Sequence, residues 1–330
     1  MSVEQSAAPT VTTGGPTVLA RMRGTEIRNL GLVAVLAVLV VIGAITSENF
    51  LTGDNLENIL VSSSVIGVVT VGATFVIIGG GIDLSVGAIV ALASVWATTL
   101  ATQSYGPWMM ALCAILVGAG AGLVNGLLIS YGRMVPFIVT LAMLVSARGL
   151  AARLADNRTQ IVTQQPIKDL ATTDVLGIPL LVILLAAVAT VGWVLLNRTT
   201  FGRRVFAIGG NTEAARLAGI DVRRNTALLY VLSGTCCGIA AIMLLARTTT
   251  GSSTHGNLYE LDAIAAVIIG GTLLSGGRGT LIGSVLGVLV FTTITNIFIL
   301  NNLATETQNI AKGLIIVAAV LLQRRANRES

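Results

Sequence analysis

Val76-Ile77-Ile78-Gly79-Gly80-Gly81-Ile82-Asp83-Leu84-Ser85-Val86-Gly87 joins two apolar runs, 57–79 and 84–102. Each run has the roughly 20 apolar residues that a helix needs to cross a bilayer. A sheet edge facing lipid would leave backbone groups unpaired, so both runs are expected to be helices. The three glycines break one helix, and Asp83 and Ser85 stand where the next one starts. A carboxylate there can accept from free backbone N–H groups and meets the positive end of the helix dipole. Two readings remain open at this point: a plain helix cap, or a gate lined by Gly80, Gly81, Asp83, Ser85 and Gly87.

The pattern extends over most of the chain. The 330 residues are 54% hydrophobic and 11% charged, with a mean hydropathy of +0.87. A soluble domain carries about a quarter charged residues, so most of this surface faces something other than water. Ten spans are expected: 29–47, 57–79, 84–102, 108–130, 136–155, 178–197, 225–246, 261–276, 280–300 and 308–323. The eighth is short and glycine-rich enough to be a half-span or a re-entrant segment. The fold class is an all-α integral membrane protein. Residues 1–28 read as a disordered tail, 29–323 as one transmembrane domain and 324–330 as a second tail. Arg21, Arg23 and Arg28 before an apolar run resemble a signal peptide, but the run is long and no A-x-A site follows it.

With the N-terminus inside, fourteen basic residues fall in inner segments and five on the outer side, which predicts cytoplasmic termini. The net charge of +5 therefore lies in membrane loops, and nucleic acid is not expected as a partner. The single histidine, His255, reads as solvated in an outer loop. Cys113, Cys236 and Cys237 read as packed thiols, so no metal site is expected.

A second glycine motif repeats the first. Gly80-Gly81-Ile82-Asp83-Leu84-Ser85-Val86-Gly87 and Gly270-Gly271-Thr272-Leu273-Leu274-Ser275-Gly276-Gly277 share the pattern G-G-x-x-L-S-x-G. An odd number of crossings lies between them, which points to two halves of inverted topology. Leu274-Ser275-Gly276-Gly277-Arg278 also looks like an ATP-binding-cassette signature. The chain has no G-x-x-x-x-G-K-[ST] loop to cradle phosphates, so no ATP site is expected.

The inner segment 198–224 holds six arginines. Within it, Asn211 or Thr212 can cap a short helix through Glu213, Ala214, Ala215, Arg216, Leu217 and Ala218, and Gly219 can end it in the left-handed conformation. Gly209, Gly210 and Gly219 are expected to set the bends. Two turns are unstable alone, so this helix must dock on something. Tyr259-Glu260-Leu261-Asp262 opens another span with two acids, placed there by the helix dipole or by an external partner. Asn125, Thr140 and Asn296 are further polar residues inside spans. Each is a candidate pathway residue or an interhelical hydrogen-bonding group.

Four stretches carry a family resemblance: GGGIDLSVGAIVAL from Gly79, NGLLISYGRMVPFIVTLAML from Asn125, GRRVFAIGGNTEAARLAGIDV from Gly202 and YELDAIAAVIIGGTLLSGGRGTLIGSVLGVLV from Tyr259. In order and spacing they resemble the permeases of ribose-type ABC importers, in the broader group that includes branched-chain amino acid permeases. The resemblance implies about ten helices per subunit, as in type II importers, and a translocation pathway for a simple sugar, worked by alternating access. It implies a second permease subunit, cytosolic ATP-binding subunits that hold ATP and Mg, and a periplasmic or lipid-anchored sugar-binding protein, all at a bacterial inner membrane. No cofactor would be bound by this chain. The segment from Gly209 to Gly219 would match the coupling helix.

Overall fold

The computed structural model describes the backbone of residues 18–326 and the side chains of residues 29–321. In chain order the helices are α1 (Val18–Thr46), α2 (Gly53–Ile78), α3 (Val86–Ala97), α4 (Leu100–Ser104), α5 (Pro107–Ser130), α6 (Pro136–Leu154), α7 (Gln165–Thr172), α8 (Leu180–Arg198), α9 (Thr200–Gly210), α10 (Thr212–Leu217), α11 (Val222–Thr248), α12 (Tyr259–Ile269), α13 (Leu281–Leu300) and α14 (Thr305–Ala326). Two-residue strands β1 (Gln160–Ile161), β2 (Asp174–Val175), β3 (Ile178–Pro179) and β4 (Thr250–Gly251) tie the connecting loops together. α1 takes in residues 18–28, which the sequence assigned to a disordered tail; the rest of that tail lies outside the described residues, as do residues 327–330.

Each expected apolar run is a helix, but not each is a span. Among the described residues, seven helices are long and apolar enough to cross a bilayer: α1 from Asn29, α2, α5, α6, α8, α11 and α13. The third and eighth expected spans are half-length. α3 has 12 residues and α12 has 11, so each rises only about 16–18 Å against a hydrocarbon core of about 30 Å. The run 84–102 stops at Ala97 and resumes as α4. The run 261–276 ends in helix at Ile269.

α2 and α11 form the centre. Their apolar windows are 89% and 72% buried, against 11% for α1 and 22% for α6 and α8. A helix apolar on all sides belongs inside the bundle, and apolar helices left uncovered need an apolar solvent. α11 packs closest on α5. A Cβ on Gly118 or Gly122 would overlap the α11 backbone at Gly234 and Tyr230, and one on Gly234 would overlap the Gly118 carbonyl. Small residues four apart on both helices let the two backbones touch.

α2 and α11 run antiparallel, with Gly72 against Ser233 and Gly79 against Leu229. Each is followed by a loop and a half-helix, then two longer helices. The order α2–α3–α5–α6, of 26, 12, 24 and 19 residues, returns reversed in direction as α11–α12–α13–α14, of 27, 11, 20 and 22. The two dipping loops meet where a Cβ on Gly87 would overlap the Gly256 carbonyl. This is the inverted repeat, but the glycine motifs do not mark it. α13 runs antiparallel to α2, with Asn296 paired to Asn55, and α12 runs antiparallel to α13, so both glycine breaks come at the same face. That face also bears α9 and α10, since Gly209 lies against Ile78 and Gly277. At the opposite face, β1 pairs with β4, while β2 and β3 form a hairpin whose Leu176 tip is 98% exposed.

Candidate functional site

The two glycine breaks are the same turn. Gly80 N–H donates to the Ile77 carbonyl at 2.9 Å and Gly81 N–H to the Val76 carbonyl at 2.9 Å. At the second break, Gly271 N–H donates to Ile268 and Thr272 N–H to Val267, at 2.8 and 3.1 Å. This is a Schellman ending, which needs a left-handed residue, and Gly80 and Gly271 have φ of +82° and +79°. The equivalent stretches are thus Val76–Gly80 and Val267–Gly271. The G-G-x-x-L-S-x-G match, which equates Gly80 with Gly270, is one residue out of register.

Beyond the turns the breaks differ. The first leads to Asp83, which is 4% exposed. Asp83 Oδ1 accepts from Ser85 N at 3.0 Å and Ser85 Oγ at 2.5 Å, and Oδ2 accepts from Ser233 Oγ at 2.9 Å. Ser85 Oγ in turn accepts from Asn125 Nδ2 at 2.9 Å. The Tyr230 hydroxyl donates to the Ile82 carbonyl at 3.4 Å. The residue at the α3 N-cap is Ser85, and its side chain does not cap. Asp83 serves the turn before the helix and pins α3 to α11 and α5. The second break closes on itself through Leu273 N–H to the Arg278 carbonyl at 3.0 Å, and Thr280 caps α13 by accepting from Gly283 N at 3.1 Å.

Of the polar pathway candidates, Asp83, Ser85 and Asn125 come together. Thr140 is fully buried and bonds its own Pro136 carbonyl within α6. Asn296 makes a reciprocal amide pair with Asn55 at the far end of α2, at 2.7 and 3.2 Å. Nothing in the sequence marks Ser233 or Tyr230, ordinary members of an apolar run.

The acids at α12 are interior. Glu260 and Asp262 are 9% and 6% exposed, and Asp262 is bridged by Lys312 of α14 at 3.2 Å to both oxygens. Helix position and this pairing account for Asp262, and neither acid is offered to an external partner. His255 is half-buried: its Nδ1 lies 3.2 Å from Ser94 Oγ, and its carbonyl accepts from Arg148 at 2.7 Å. Rather than a solvated loop, it is packed where the dipping loop crosses α3. Cys236 and Cys237 are buried and Cys113 half-buried, all as free thiols. Among the described residues no group of three or more His, Cys, Asp or Glu could hold a metal ion.

The 198–224 segment contains two helices. Thr199 caps α9 by accepting from Gly202 N at 3.3 Å, and Asn211 caps α10 by accepting from Ala214 N at 2.9 Å. α10 ends through Gly219 N–H to Arg216 and Ile220 N–H to the Ala215 carbonyl, with Gly219 at φ +80°. Gly209 and Gly210 are helical, so only Gly219 sets a bend. α10 rests on the bundle through Ala215, 4% exposed, while Leu217 is 76% exposed. Arg216 forks onto Glu213 at 2.5 and 3.1 Å, both side chains in solvent. The Arg216 hydrogen bond and charge hold the Glu213 carboxyl below its usual range, so the bridge persists as pH falls until Glu213 protonates below that range.

A bundle of long apolar helices with half-helices meeting inside it is the architecture of a multi-pass membrane transport protein. Residues 55–320 match the family model for the permease component of the branched-chain amino acid transport system, and the chain belongs to that family. It is 40% identical over 300 residues to a ribose import permease of Bacillus subtilis (strain 168), covering 90% of this chain and 93% of the relative. A D-allose transport system permease of Escherichia coli (strain K12) is 36% identical, over 89% of this chain and 91% of its own. An L-arabinose ABC transporter permease of Azospirillum brasilense is 36% identical, over 94% and 92%. No solved structure matches the chain.

Proposed function

We propose that this chain is the permease subunit of a binding-protein-dependent ABC importer and that it carries a simple sugar, a pentose or hexose. The names of its relatives support the sugar class. The observation that carries the mechanism is α10: a capped two-turn helix, held to the bundle by Ala215, that shows Leu217, Glu213 and Arg216 to solvent. Such a helix is too short to be stable alone, and an uncovered leucine beside a charged fork suits a protein partner. In this reading α10, from Asn211 to Gly219, is the coupling helix of a cytosolic ATP-binding subunit, which holds ATP and Mg. Both termini then lie in the cytoplasm of a bacterial cell, and the β2–β3 hairpin faces a periplasmic or lipid-anchored sugar-binding protein. A second permease subunit completes the pathway. Hydrolysis belongs to the partner, and this chain moves.

An ion-driven carrier would need unpaired acids at mid-membrane to relay charge. Asp83 and Asp262 are instead bound by serines and by Lys312, which leaves Glu260, with its Oε2 unpaired, as the one such buried acid among the described residues; a single acid makes no relay, which favours the ATP-driven reading. The test is Glu213→Ala with Arg216→Ala in the reconstituted importer. Sugar uptake should fall roughly tenfold or more while ATP hydrolysis continues; unchanged uptake would overturn the assignment of α10. ATP hydrolysis stimulated by a panel of sugar-loaded binding proteins identifies the sugar.

A further inference from the structure

The end of α9 meets both helix breaks, and it does so backbone against backbone. Gly277 N–H, in the second break, donates to the Ile78 carbonyl at the end of α2, at 2.8 Å. The Gly209 Cα lies directly over that bond: a Cβ there would overlap Ile78 O and stand 2.6 Å from Gly277 N. A Cβ on Gly276 would come within 2.9 Å of both Gly209 O and Gly80 Cα, and one on Gly277 within 2.7 Å of Gly210 Cα. Real Cβ atoms essentially never approach so closely, and backbone cannot swing aside as a side chain can. Three segments far apart in sequence therefore close on one point with no side chain between them.

We infer that Gly209 is a positioning residue that makes the α9–α10 segment and both helix breaks one moving body. The inference rests on α10 being the coupling helix, and it adds where the motion goes. Gly80 is two residues from Ile82, whose carbonyl is held by Tyr230, and three from Asp83, which pins α3 to α11 and α5. A shift of α10 is thus delivered through Gly209 to the latch on α3 and, through Gly276 and Gly277, to the start of α13. Packed elements with two discrete arrangements carry coupling between sites; simple nearness does not. These segments do not slide past one another.

The neighbouring residue supplies the control. Gly210 is also at the end of α9, but a Cβ there meets nothing within 4 Å, because it opens onto a cavity of about 870 Å³ bordered by Phe206, Ser275 and Arg278. In the assembled importer, Gly209→Ala should lower sugar uptake about tenfold or more, with ATP hydrolysis within about twofold of the parent, while Gly210→Ala leaves both within about twofold. Equal uptake in the two variants overturns the inference. A second experiment does not depend on Gly209→Ala folding: Gly210→Cys and Ser275→Cys are bridged across the cavity with a short bis-maleimide. If the segments move as one body, the bridged importer keeps its uptake; if bridging abolishes uptake, they move separately and the inference fails. The two readings fail differently. Unaffected uptake in the Glu213→Ala/Arg216→Ala variant removes the coupling helix itself, whereas uncoupling there with a silent Gly209→Ala removes only the junction.

Discussion

Replacing Ser233 by alanine should loosen α3 from α11, and the size of the effect follows from the geometry. The hydroxyl donates to Asp83 Oδ2 at 2.9 Å, and no other donor reaches that oxygen among the hydrogen bonds of the Asp83 carboxylate. A hydrogen bond to a charged group contributes about 1.5–3 kcal/mol in soluble proteins. Interhelical hydrogen bonds inside membranes average only about 0.6 kcal/mol, with a maximum near 1.7, because the unfolded chain in lipid also finds partners. Asp83 is 4% exposed and its acceptor oxygens are already committed, so the loss should sit where those ranges meet. Ser233→Ala is expected to cost about 1.5 kcal/mol, roughly tenfold in the folding equilibrium. Asp83→Asn should cost less than Asp83→Ala. An amide oxygen still accepts from Ser85 N and Oγ, and its NH₂ can donate to a Ser233 hydroxyl that accepts instead. The assay is unfolding of the purified permease in bicelles by titration with dodecyl sulfate, followed by tryptophan fluorescence. Asp83→Ala, Ser233→Ala and the double variant form a closed cycle. In the Asp83→Ala background, Ser233→Ala should be nearly free. If it costs the same in both backgrounds, within the roughly 0.3–0.5 kcal/mol that independent sites show, the latch does not exist as drawn.

Two more perturbations use the same assay. Gly122→Ala drives a methyl into the Tyr230 carbonyl of α11 and should cost about 1–3 kcal/mol by overpacking, whereas Gly120→Ala, with nothing within 4 Å, should be neutral or slightly stabilising; equal effects would dismiss the close α5–α11 crossing. Lys312→Ala strands the buried Asp262 carboxylate and should cost about 3–5 kcal/mol, while Lys312→Met with Asp262→Leu recovers most of it; a double variant as unstable as the single would show that the pair is a net contributor.

Much of the fold was legible because lipid allows few solutions. All ten apolar runs are helical, one of them split into α3 and α4, and Asn211 and Gly219 delimited α10 by ordinary capping chemistry. The half-helix α3 was not legible, whereas shortness and glycine content marked the run of α12 as a half-span or re-entrant piece. Hydropathy reports where apolar residues are, and the loops that interrupt α3 and α12 are themselves apolar: Gly81-Ile82 in one case, Leu273-Leu274 in the other. Their backbone groups are satisfied at long range, as when Gly277 N–H reaches Ile78 and Tyr230 reaches Ile82. No local pattern encodes such partners. The same holds for Ser233, which in sequence is one small residue among many.

The glycine repeat shows what a sequence match can and cannot carry. Val76–Gly80 and Val267–Gly271 agree because each ends a buried helix at the same face, and closing such a helix with two tightened hydrogen bonds takes a left-handed residue. The shared letters are those of that turn. The inverted relation lies elsewhere, between α2–α3–α5–α6 and α11–α12–α13–α14, where direction and length repeat without any common motif. Symmetry of the bundle fixes lengths and crossings, which many apolar sequences satisfy equally. A turn fixes φ at one atom, which only glycine satisfies cheaply. The motif that is easiest to see therefore records local backbone chemistry, and in this chain that chemistry sits where α9 touches both breaks.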